Sequence, residues 1–327
     1  ITKQEEVFVN EGVWCAVKIH INDPLDEIAL QKLKEELPNA TITSEHFDKD
    51  KLKEKMKDVD VLIVRSATKV TKEIIDSSPK LKIIGRAGMG LDNIDLEAAK
   101  VKNIKVLNTP GQNALSVAEL VIGMVIDIYR NITRASIGLK EGRWEKKELE
   151  GLELSGKTFG IIGFGYVGTN LAKLLTGFNT TTLVYDIINL TAEEQNKYKV
   201  KQVSFEDLLK QSDIISLNLP KNEKTFHVIG EKEIKLMKDN VIIINAARGG
   251  VLDEKAALKY LKDGKIFGLG LDVFEEEPPV SDFYKELFSL PNVVVTPHIG
   301  ASTKEAQERV GINIIDRIGE EVNKIMI

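Results

Sequence analysis

Residues 156–175 read GKTFGIIGFGYVGTNLAKLL and contain the clearest indication of the fold. Three glycines, Gly163, Gly165 and Gly168, are spaced as G-x-G-x-x-G between an apolar run and a segment with helical apolar spacing. The spacing alone is a weak signal, but its position between a strand and a helix is typical of a dinucleotide-binding turn. Gly163 permits the tight turn, Gly165 lets the backbone approach a pyrophosphate, and Gly168 lets helix and strand pack closely. The alternative is a glycine turn that binds no ligand.

The next apolar run, LVYD, ends at Asp186, eighteen residues after Gly168. A carboxylate at that place accepts a hydrogen bond from a ribose 2′-hydroxyl and repels a 2′-phosphate. The helix that begins at the glycine turn offers backbone N–H groups to the phosphates. The sequence therefore predicts NAD, rather than NADP, as the cofactor.

Alternating β-branched runs and amphipathic stretches predict an α/β protein of two lobes, each a doubly wound parallel sheet. The first lobe, flavodoxin-like, has four strand-like runs: AVKIHI, DVLIVRS, LKIIGRAG and KVLN. The second, a Rossmann domain, has six: TFGIIG, TTLVYD, IISLNL, VIIIN, FGLGLDV and VVVTPH. We predict a substrate-binding (catalytic) domain of residues 1–107 and 299–327, with an NAD-binding domain of residues 108–298 inserted in it. Residues 1 to about 12 are interpreted as an extension.

Composition excludes several function classes. The 327 residues carry a formal net charge of −5, which argues against nucleic acid as a partner because no basic excess neutralises phosphates. No apolar run approaches the length of a membrane helix, so no membrane partner is expected. Cys15 is the only cysteine, which excludes an intrachain disulfide and a cysteine metal site, and no metal is predicted. This cysteine usage fits a reducing cytoplasm.

Three polar residues follow strand-like runs of the second lobe: Arg248 in NAARGGVLDE, Glu277 in LDVFEEEPP and His298 in VVVTPHIGAST. Histidine carries protons near neutral pH, and a neighbouring carboxylate would orient its ring and raise its pKa. Arginine can bind a substrate carboxylate through two parallel hydrogen bonds. Together they predict hydride transfer between NAD and a 2-oxo or 2-hydroxy acid. Taken singly, each has another interpretation: a core histidine, a solvated acid and a surface arginine.

These motifs, with TFGIIGFGYVG, resemble those of the NAD-dependent D-2-hydroxyacid dehydrogenases from Ala16 to the end of the chain. The resemblance implies Arg248, Glu277 and His298 as catalytic residues. Within the family, VRSATKVT, IIGRAGMGLDNID, NTPGQNALSVAEL and PHIGASTKEAQERVG are most similar to the phosphoglycerate dehydrogenase branch. That branch implies oxidation of D-3-phosphoglycerate to 3-phosphohydroxypyruvate, the first step of serine biosynthesis. The chain ends twenty-nine residues after His298, so it resembles the short form without serine-sensing domains.

The resemblance also implies ligand contacts on both lobes. Cofactor contacts beyond the three glycines are implied at Met89, Tyr166, Val167, Asp186, Leu219, Ala246, Ala247, Arg248, Asp272, His298, Ile299, Gly300 and Ala301. Substrate contacts are implied at Arg65, Ser66, Gly88, Asn108, Arg248 and His298. Met89 and Leu219 stand where the family pattern has polar residues, so only a backbone contact can be carried over to them.

The family also implies a homodimer or homotetramer that pairs through the helix VAELVIGMVIDIY and the segment after it. That segment is basic, and we expect one or more of its cations to reach the phosphate of a phosphorylated substrate across the dimer: Arg130, Arg134, Lys140, Arg143, Lys146 or Lys147. Two other functions remain open. One is a glyoxylate or hydroxypyruvate reductase or another D-2-hydroxyacid dehydrogenase. The other is an NAD-binding protein of the corepressor type that shares this fold and is not an enzyme.

Overall fold

The computed structural model describes residues 16–326. The interpreted extension, residues 1 to about 12, and Cys15 lie outside this range. The chain forms two compact units. The first unit consists of two segments, one that ends at Gln112 and one that begins at Gln307, and the second unit is Asn113–Ala306. The chain therefore passes between units at Gln112 and at Gln307, where the sequence suggested 107 and 299.

The first unit contains a five-stranded parallel sheet in the order β2-β1-β3-β4-β5, the flavodoxin-like order. Its strands are β1 (Lys18–Ile21), β2 (Thr41–Ser44), β3 (Val61–Val64), β4 (Ile83–Arg86) and β5 (Lys105–Leu107). The sequence predicted four of them. It missed β2 because this edge strand, TITS, is mostly polar and exposed, and therefore shows no apolar run.

The helices of the first unit lie on both sides of this sheet, because alternate residues of β3 point into two different apolar clusters. They are α1 (Glu27–Glu36), α2 (Lys49–Lys55), α3 (Lys72–Asp76) and α4 (Leu96–Val101), followed at the end of the chain by the long helix α13 (Lys304–Met326). Three of them begin after an aspartate whose side chain accepts a backbone N–H of the first turn. Ile314 and Ile318 of α13 contact β4 at Gly85, where a Cβ would be only 2.6 Å from Ile318.

The second unit contains a seven-stranded parallel sheet in the order β12-β11-β10-β9-β6-β7-β8. Its strands are β6 (Thr158–Ile162), β7 (Thr181–Tyr185), β8 (Val200–Gln202), β9 (Ile214–Leu217), β10 (Val241–Asn245), β11 (Ile266–Leu271) and β12 (Val293–Val295). In the opposite direction the sheet begins β8-β7-β6-β9-β10-β11, which is the strand order 3-2-1-4-5-6 of dinucleotide-binding domains. The order of the strands reverses between β6 and β9. The sequence missed β8, a three-residue edge strand VKQ. The predicted fold class, two doubly wound parallel-sheet lobes, is confirmed.

The helices of the second unit are α5 (Ala114–Arg130), α6 (Ile132–Lys140), α7 (Tyr166–Leu175), α8 (Ala192–Tyr198), α9 (Phe205–Gln211), α10 (Glu231–Leu236), α11 (Glu254–Lys262) and α12 (Asp282–Phe288). All five residues of β10 are buried and the first four alternate between two apolar clusters, so both faces of this sheet are covered. Within residues 16–326, no helix is long and apolar enough to cross a membrane.

Candidate active site

The glycine turn lies between β6 and α7, beside the point where the order of the second sheet reverses. Gly163 has a φ of +92°, and its N–H donates to the Tyr185 carbonyl at 2.8 Å. A Cβ at Gly163 or Gly168 would lie within 2.5 Å of a backbone oxygen, whereas a Cβ at Gly165 would meet no atom within 4 Å. The space in front of the ten-residue helix α7 therefore fits the approach of a pyrophosphate to backbone N–H groups.

Asp186 follows β7 and lies against this turn. Its Oδ2 accepts the Phe164 N–H at 2.6 Å, and its Oδ1 accepts the Ile188 N–H at 2.9 Å. These bonds fix a half-buried carboxylate one strand away from the turn. Its oxygens retain capacity to accept a ribose hydroxyl, while the negative charge opposes a 2′-phosphate.

Glu277 and His298 form the central pair of the second unit. His298 Nδ1 lies 2.9 Å from Glu277 Oε2, and because a carboxylate only accepts, Nδ1 carries the proton of this bond. The hydrogen bond to Glu277 raises the pKa of His298 more than burial lowers it. Burial acts to raise the pKa of Glu277, but its bonds with His298 and the Phe274 N–H, with the Arg248 charge, lower it overall. The pair therefore favours an imidazolium whose second nitrogen, Nε2, can deliver a proton.

Arg248 lies in a turn that follows β10. The buried Asn245 holds this turn: its Nδ2 donates to the Arg248 carbonyl at 3.0 Å, and its Oδ1 accepts the Ala247 N–H at 3.1 Å. A Cβ at Gly249 would lie 1.7 Å from the Phe274 carbonyl oxygen, so the turn packs directly on the loop that carries Glu277. The RGG motif thus places an arginine beside the Glu277 carboxylate without a neighbouring side chain between the two loops.

Asp272 fixes the segment that carries His298. Its side chain is 1% exposed and accepts the Thr296 hydroxyl at 2.6 Å and the N–H groups of Ile299 and Gly300 at 2.8 Å each. His298 itself has a φ of +53°, a conformation that an isolated histidine rarely adopts. Asp272 therefore fixes the backbone around His298, and the cofactor contact that the resemblance implies for it stays a prediction.

The other implied cofactor contacts of this unit also lie at the carboxyl edge of its sheet. Tyr166 and Val167 form the first turn of α7, Ala246 and Ala247 follow β10, and Ile299 to Ala301 follow β12. Leu219 follows β9 and packs against an apolar cluster. Its side chain also lies near the glycine turn, 2.9 Å from a Cβ placed at Gly163.

In the first unit, the implied substrate residues follow three neighbouring strands. Arg65 and Ser66 follow β3, Gly88 and the implied cofactor contact Met89 follow β4, and Asn108 follows β5. Asn108 Nδ2 donates to the Met89 carbonyl at 2.7 Å, so these two segments are joined.

The sequence did not single out Asp23, which follows β1 and supports the Arg65 segment. This buried carboxylate accepts the Arg65 N–H at 2.7 Å and both the N–H and the hydroxyl of Thr68. The acid in INDP, directly after an apolar strand, was the signal available for it. Over the described residues, no group of three or more histidine, cysteine or acidic side chains could hold a metal ion.

Comparison with known proteins agrees with this geometry. Residues 122–300 match the family model "D-isomer specific 2-hydroxyacid dehydrogenase, NAD binding domain". A hydroxypyruvate reductase of Thermotoga maritima is 52% identical over 93% of this chain and 98% of its own length. A D-3-phosphoglycerate dehydrogenase of Methanocaldococcus jannaschii is 46% identical over 92% of this chain, which spans 57% of that relative.

A solved structure extends the comparison to a bound cofactor. The D-lactate dehydrogenase of Aquifex aeolicus, solved with NAD and lactic acid, superposes with a TM-score of 0.81 at 30% identity. The alignment covers 94% of this chain and 96% of that one. The predicted cofactor, NAD, is thereby confirmed. This chain belongs to the D-isomer specific 2-hydroxyacid dehydrogenase family.

Proposed function

We propose that this chain reduces hydroxypyruvate to D-glycerate with NADH. The observation that carries the proposal is the hydrogen-bonded pair of His298 and Glu277 beside Arg248, on an NAD-binding domain. The 52% identity with a hydroxypyruvate reductase along nearly its whole length supports this substrate over others of the class.

The residues of this site suit reduction of a 2-oxo acid. Bound NADH supplies the hydride. The Arg248 guanidinium binds the substrate carboxylate and orients the neighbouring carbonyl. His298 donates the proton on Nε2 to the carbonyl oxygen as negative charge develops there, and Glu277 stabilises the imidazolium until that transfer. Arg65, Ser66, Gly88 and Asn108 remain the proposed substrate contacts of the first unit.

The basic segment after α5 bears on whether the substrate is phosphorylated. Arg143 forms ion pairs with Glu141 and with Glu145, the latter at 3.1 Å, and Arg134 lies 4.0 Å from Glu145. Acids in the same segment therefore partly neutralise two of the cations expected to bind a phosphate. A dianionic phosphate bound by either of these two arginines would compete with these pairs, which favours an unphosphorylated substrate.

Oxidation of D-3-phosphoglycerate is the second candidate. The 46% identity with a D-3-phosphoglycerate dehydrogenase supports it, and so do the motifs of that branch in the sequence. The two candidates share the chemistry of His298 and Arg248 and differ only in what binds the far end of the substrate.

A substrate panel distinguishes the candidates. NADH oxidation is followed with hydroxypyruvate, glyoxylate and 3-phosphohydroxypyruvate, and NAD reduction with D-glycerate and 3-phosphoglycerate. We expect the highest kcat/KM with hydroxypyruvate. A higher kcat/KM for the phosphorylated compound would favour the second candidate, and no turnover with any of them would favour the non-enzymatic, corepressor-like reading.

We also propose that the chain pairs with a second copy through α6 and the segment after it. The apolar residues of α5 are largely buried within its own unit, so they do not by themselves require a partner. Exposed apolar side chains cluster instead after α5: Ile132, Ile137, Leu139, Trp144 and Leu152. Covering exposed apolar side chains is a common reason for dimer formation.

A further inference from the structure

The loop that carries Glu277 is held by side chains outside the catalytic set. The carboxylate of Glu254, the first residue of α11, accepts the Glu275 N–H at 3.0 Å. Its other oxygen accepts the Tyr284 hydroxyl at 2.6 Å, and that hydroxyl in turn accepts the Glu276 N–H at 3.1 Å. Two consecutive backbone N–H groups just before Glu277 are thus bound, directly or through Tyr284, by one carboxylate.

Glu254 is almost fully shielded from water, and among the described residues no basic side chain is hydrogen-bonded to it. It is 1% exposed, and burial raises its pKa to about 7 despite the hydrogen bonds that favour its charged form. The ionisable groups that act on it are Tyr284 from α12, Glu275 from the loop and His227 from the segment before α10. A buried carboxyl group is costly unless it is hydrogen-bonded, and both bonds that Glu254 accepts come from the segment that contains the 274–277 loop and α12.

The same carboxylate connects the two loops of the catalytic residues. Glu254 follows the Arg248 turn by a few residues, and that turn contacts the Phe274 carbonyl at Gly249. His227 adds a third attachment between the two loops. Its ring Nε2 lies 2.8 Å from Glu275 Oε1, and its backbone N–H donates to the Gly250 carbonyl at 2.7 Å. Displacement of the 274–277 loop would therefore change the distance between Glu277 and His298.

We propose that Glu254 is a positioning residue which, through Tyr284, fixes loop 274–277 so that Glu277 stays hydrogen-bonded to His298. The inference rests on the proposed function for its effect on turnover, but its effect on the His298 ring is independent of any substrate. Loss of the attachment lets Glu277 withdraw, and His298 then loses the bond that raises its pKa.

Titration of the His298 ring by NMR tests this directly, because the sequence has only four histidines and His298→Asn assigns the signal. Glu277→Gln should lower the titration midpoint of His298, and this lowered midpoint is the reference for the other variants. We expect Tyr284→Phe and Glu254→Ala to lower the midpoint in the same direction, and Glu254→Gln, which keeps the shape, to lower it less. The double variant Glu254→Ala/Glu277→Gln should titrate like Glu277→Gln alone, since both changes act through one bond.

Tyr284→Phe separates position from charge, because it removes a hydroxyl and leaves every carboxylate in place. A matched pair serves as control: Glu231 also accepts a tyrosine hydroxyl, that of Tyr260 at 3.1 Å, at the start of the exposed helix α10. Glu231→Gln and Tyr260→Phe should leave the His298 midpoint unchanged. If Glu254→Gln lowers the midpoint as far as Glu254→Ala while Tyr284→Phe has no effect, charge alone explains the result and the positioning role is wrong.

Steady-state kinetics give the second measurement. We expect Tyr284→Phe and Glu254→Ala to lower kcat with hydroxypyruvate by about 10- to 100-fold, the effect of a misplaced catalytic group, with the KM for NADH within about threefold. The falling limb of the pH–rate profile should move to lower pH in both. An unchanged kcat and pH profile in both variants would overturn the proposal. A wild-type protein that reduces no 2-oxo acid would instead refute the proposed function and leave the NMR result to decide on Glu254.

Discussion

Replacing Glu254 with glutamine should change how the stability of the second unit depends on pH. The folded protein raises the pKa of this carboxyl from 4.5 to about 7, mainly through burial. The folded state therefore binds a proton in a range where the unfolded chain has already released it. The stability contributed by the protonated group is present below pH 4.5 and is lost as the pH rises through 7. Glutamine cannot ionise, so the stability of the variant does not decrease in this way as the pH rises.

The magnitude follows from the two pKa values. The interval from 4.5 to about 7 corresponds to about 3 kcal/mol. For a unit the size of Asn113–Ala306, this is a change of about 6–12 °C in the melting temperature. Glutamine also alters the bonds to Glu275 and Tyr284, but that effect is the same at every pH, so only the pH-dependent part is compared.

The assay is thermal unfolding followed by calorimetry between pH 4.5 and 8.5. We expect the melting temperature of Glu254→Gln, relative to wild type, to rise with pH by the amount above. Glu231→Gln should show almost none of this pH dependence, because bonds from Lys259, Lys235 and Tyr260 lower the pKa of the exposed Glu231 to about 2, so that it is ionised in the folded protein throughout this range. A difference in melting temperature between wild type and Glu254→Gln that is constant over this pH range would show that the pKa of Glu254 is not raised in the folded protein.

Further predictions concern the catalytic site, the cofactor and the assembly. Glu277→Gln should move the falling limb of the reduction pH–rate profile to lower pH, because it removes the bond that raises the pKa of His298; an unmoved limb would contradict this. Arg248→Lys should lower kcat/KM by about 10–100-fold, since an ammonium group cannot form two parallel bonds to a carboxylate, and steady-state kinetics with hydroxypyruvate would measure it. Asp186→Ser should raise kcat/KM with NADPH relative to NADH by about tenfold or more; equal use of both by the wild type would exclude the assigned role. Trp144→Lys, at a side chain that is 79% exposed, should shift a dimer toward monomer in sedimentation velocity, and a wild-type monomer would reject the proposed interface.

Much of the fold followed from local pattern. The G-x-G-x-x-G spacing identified the cofactor domain because both its neighbours, an apolar strand and an apolar-periodic helix, are contiguous with it in the chain. His298 and Glu277 could be chosen because each lies in the loop that follows a strand, and parallel strands bring their carboxyl ends to one edge. The edge strands β2 and β8 were missed because they are short and polar, so their pairing depends on backbone bonds to a neighbour rather than on an apolar run.

Side-chain partners could not be predicted from the sequence to the same extent. Glu254 sits in a DE pair at a helix start, where the pattern suggests an exposed acid of the first turn. It is buried because Tyr284 and the 274–277 loop, about twenty to thirty residues later, cover it. The sequence suggested Arg143 as a cation available to a phosphate, but the structure pairs it with Glu141 and Glu145. Both cases depend on contacts that a charge count does not contain.

Hydroxypyruvate reduction by His298→Asn shows directly whether His298, held by Glu277, supplies the proton. Single-turnover oxidation of bound NADH is compared between wild type and variant, with NADH binding measured separately by fluorescence. We expect the variant to bind NADH as the wild type does and to turn over about 10²–10⁴-fold more slowly, the usual contribution of a general acid. A variant that reduces hydroxypyruvate at the wild-type rate would contradict the account.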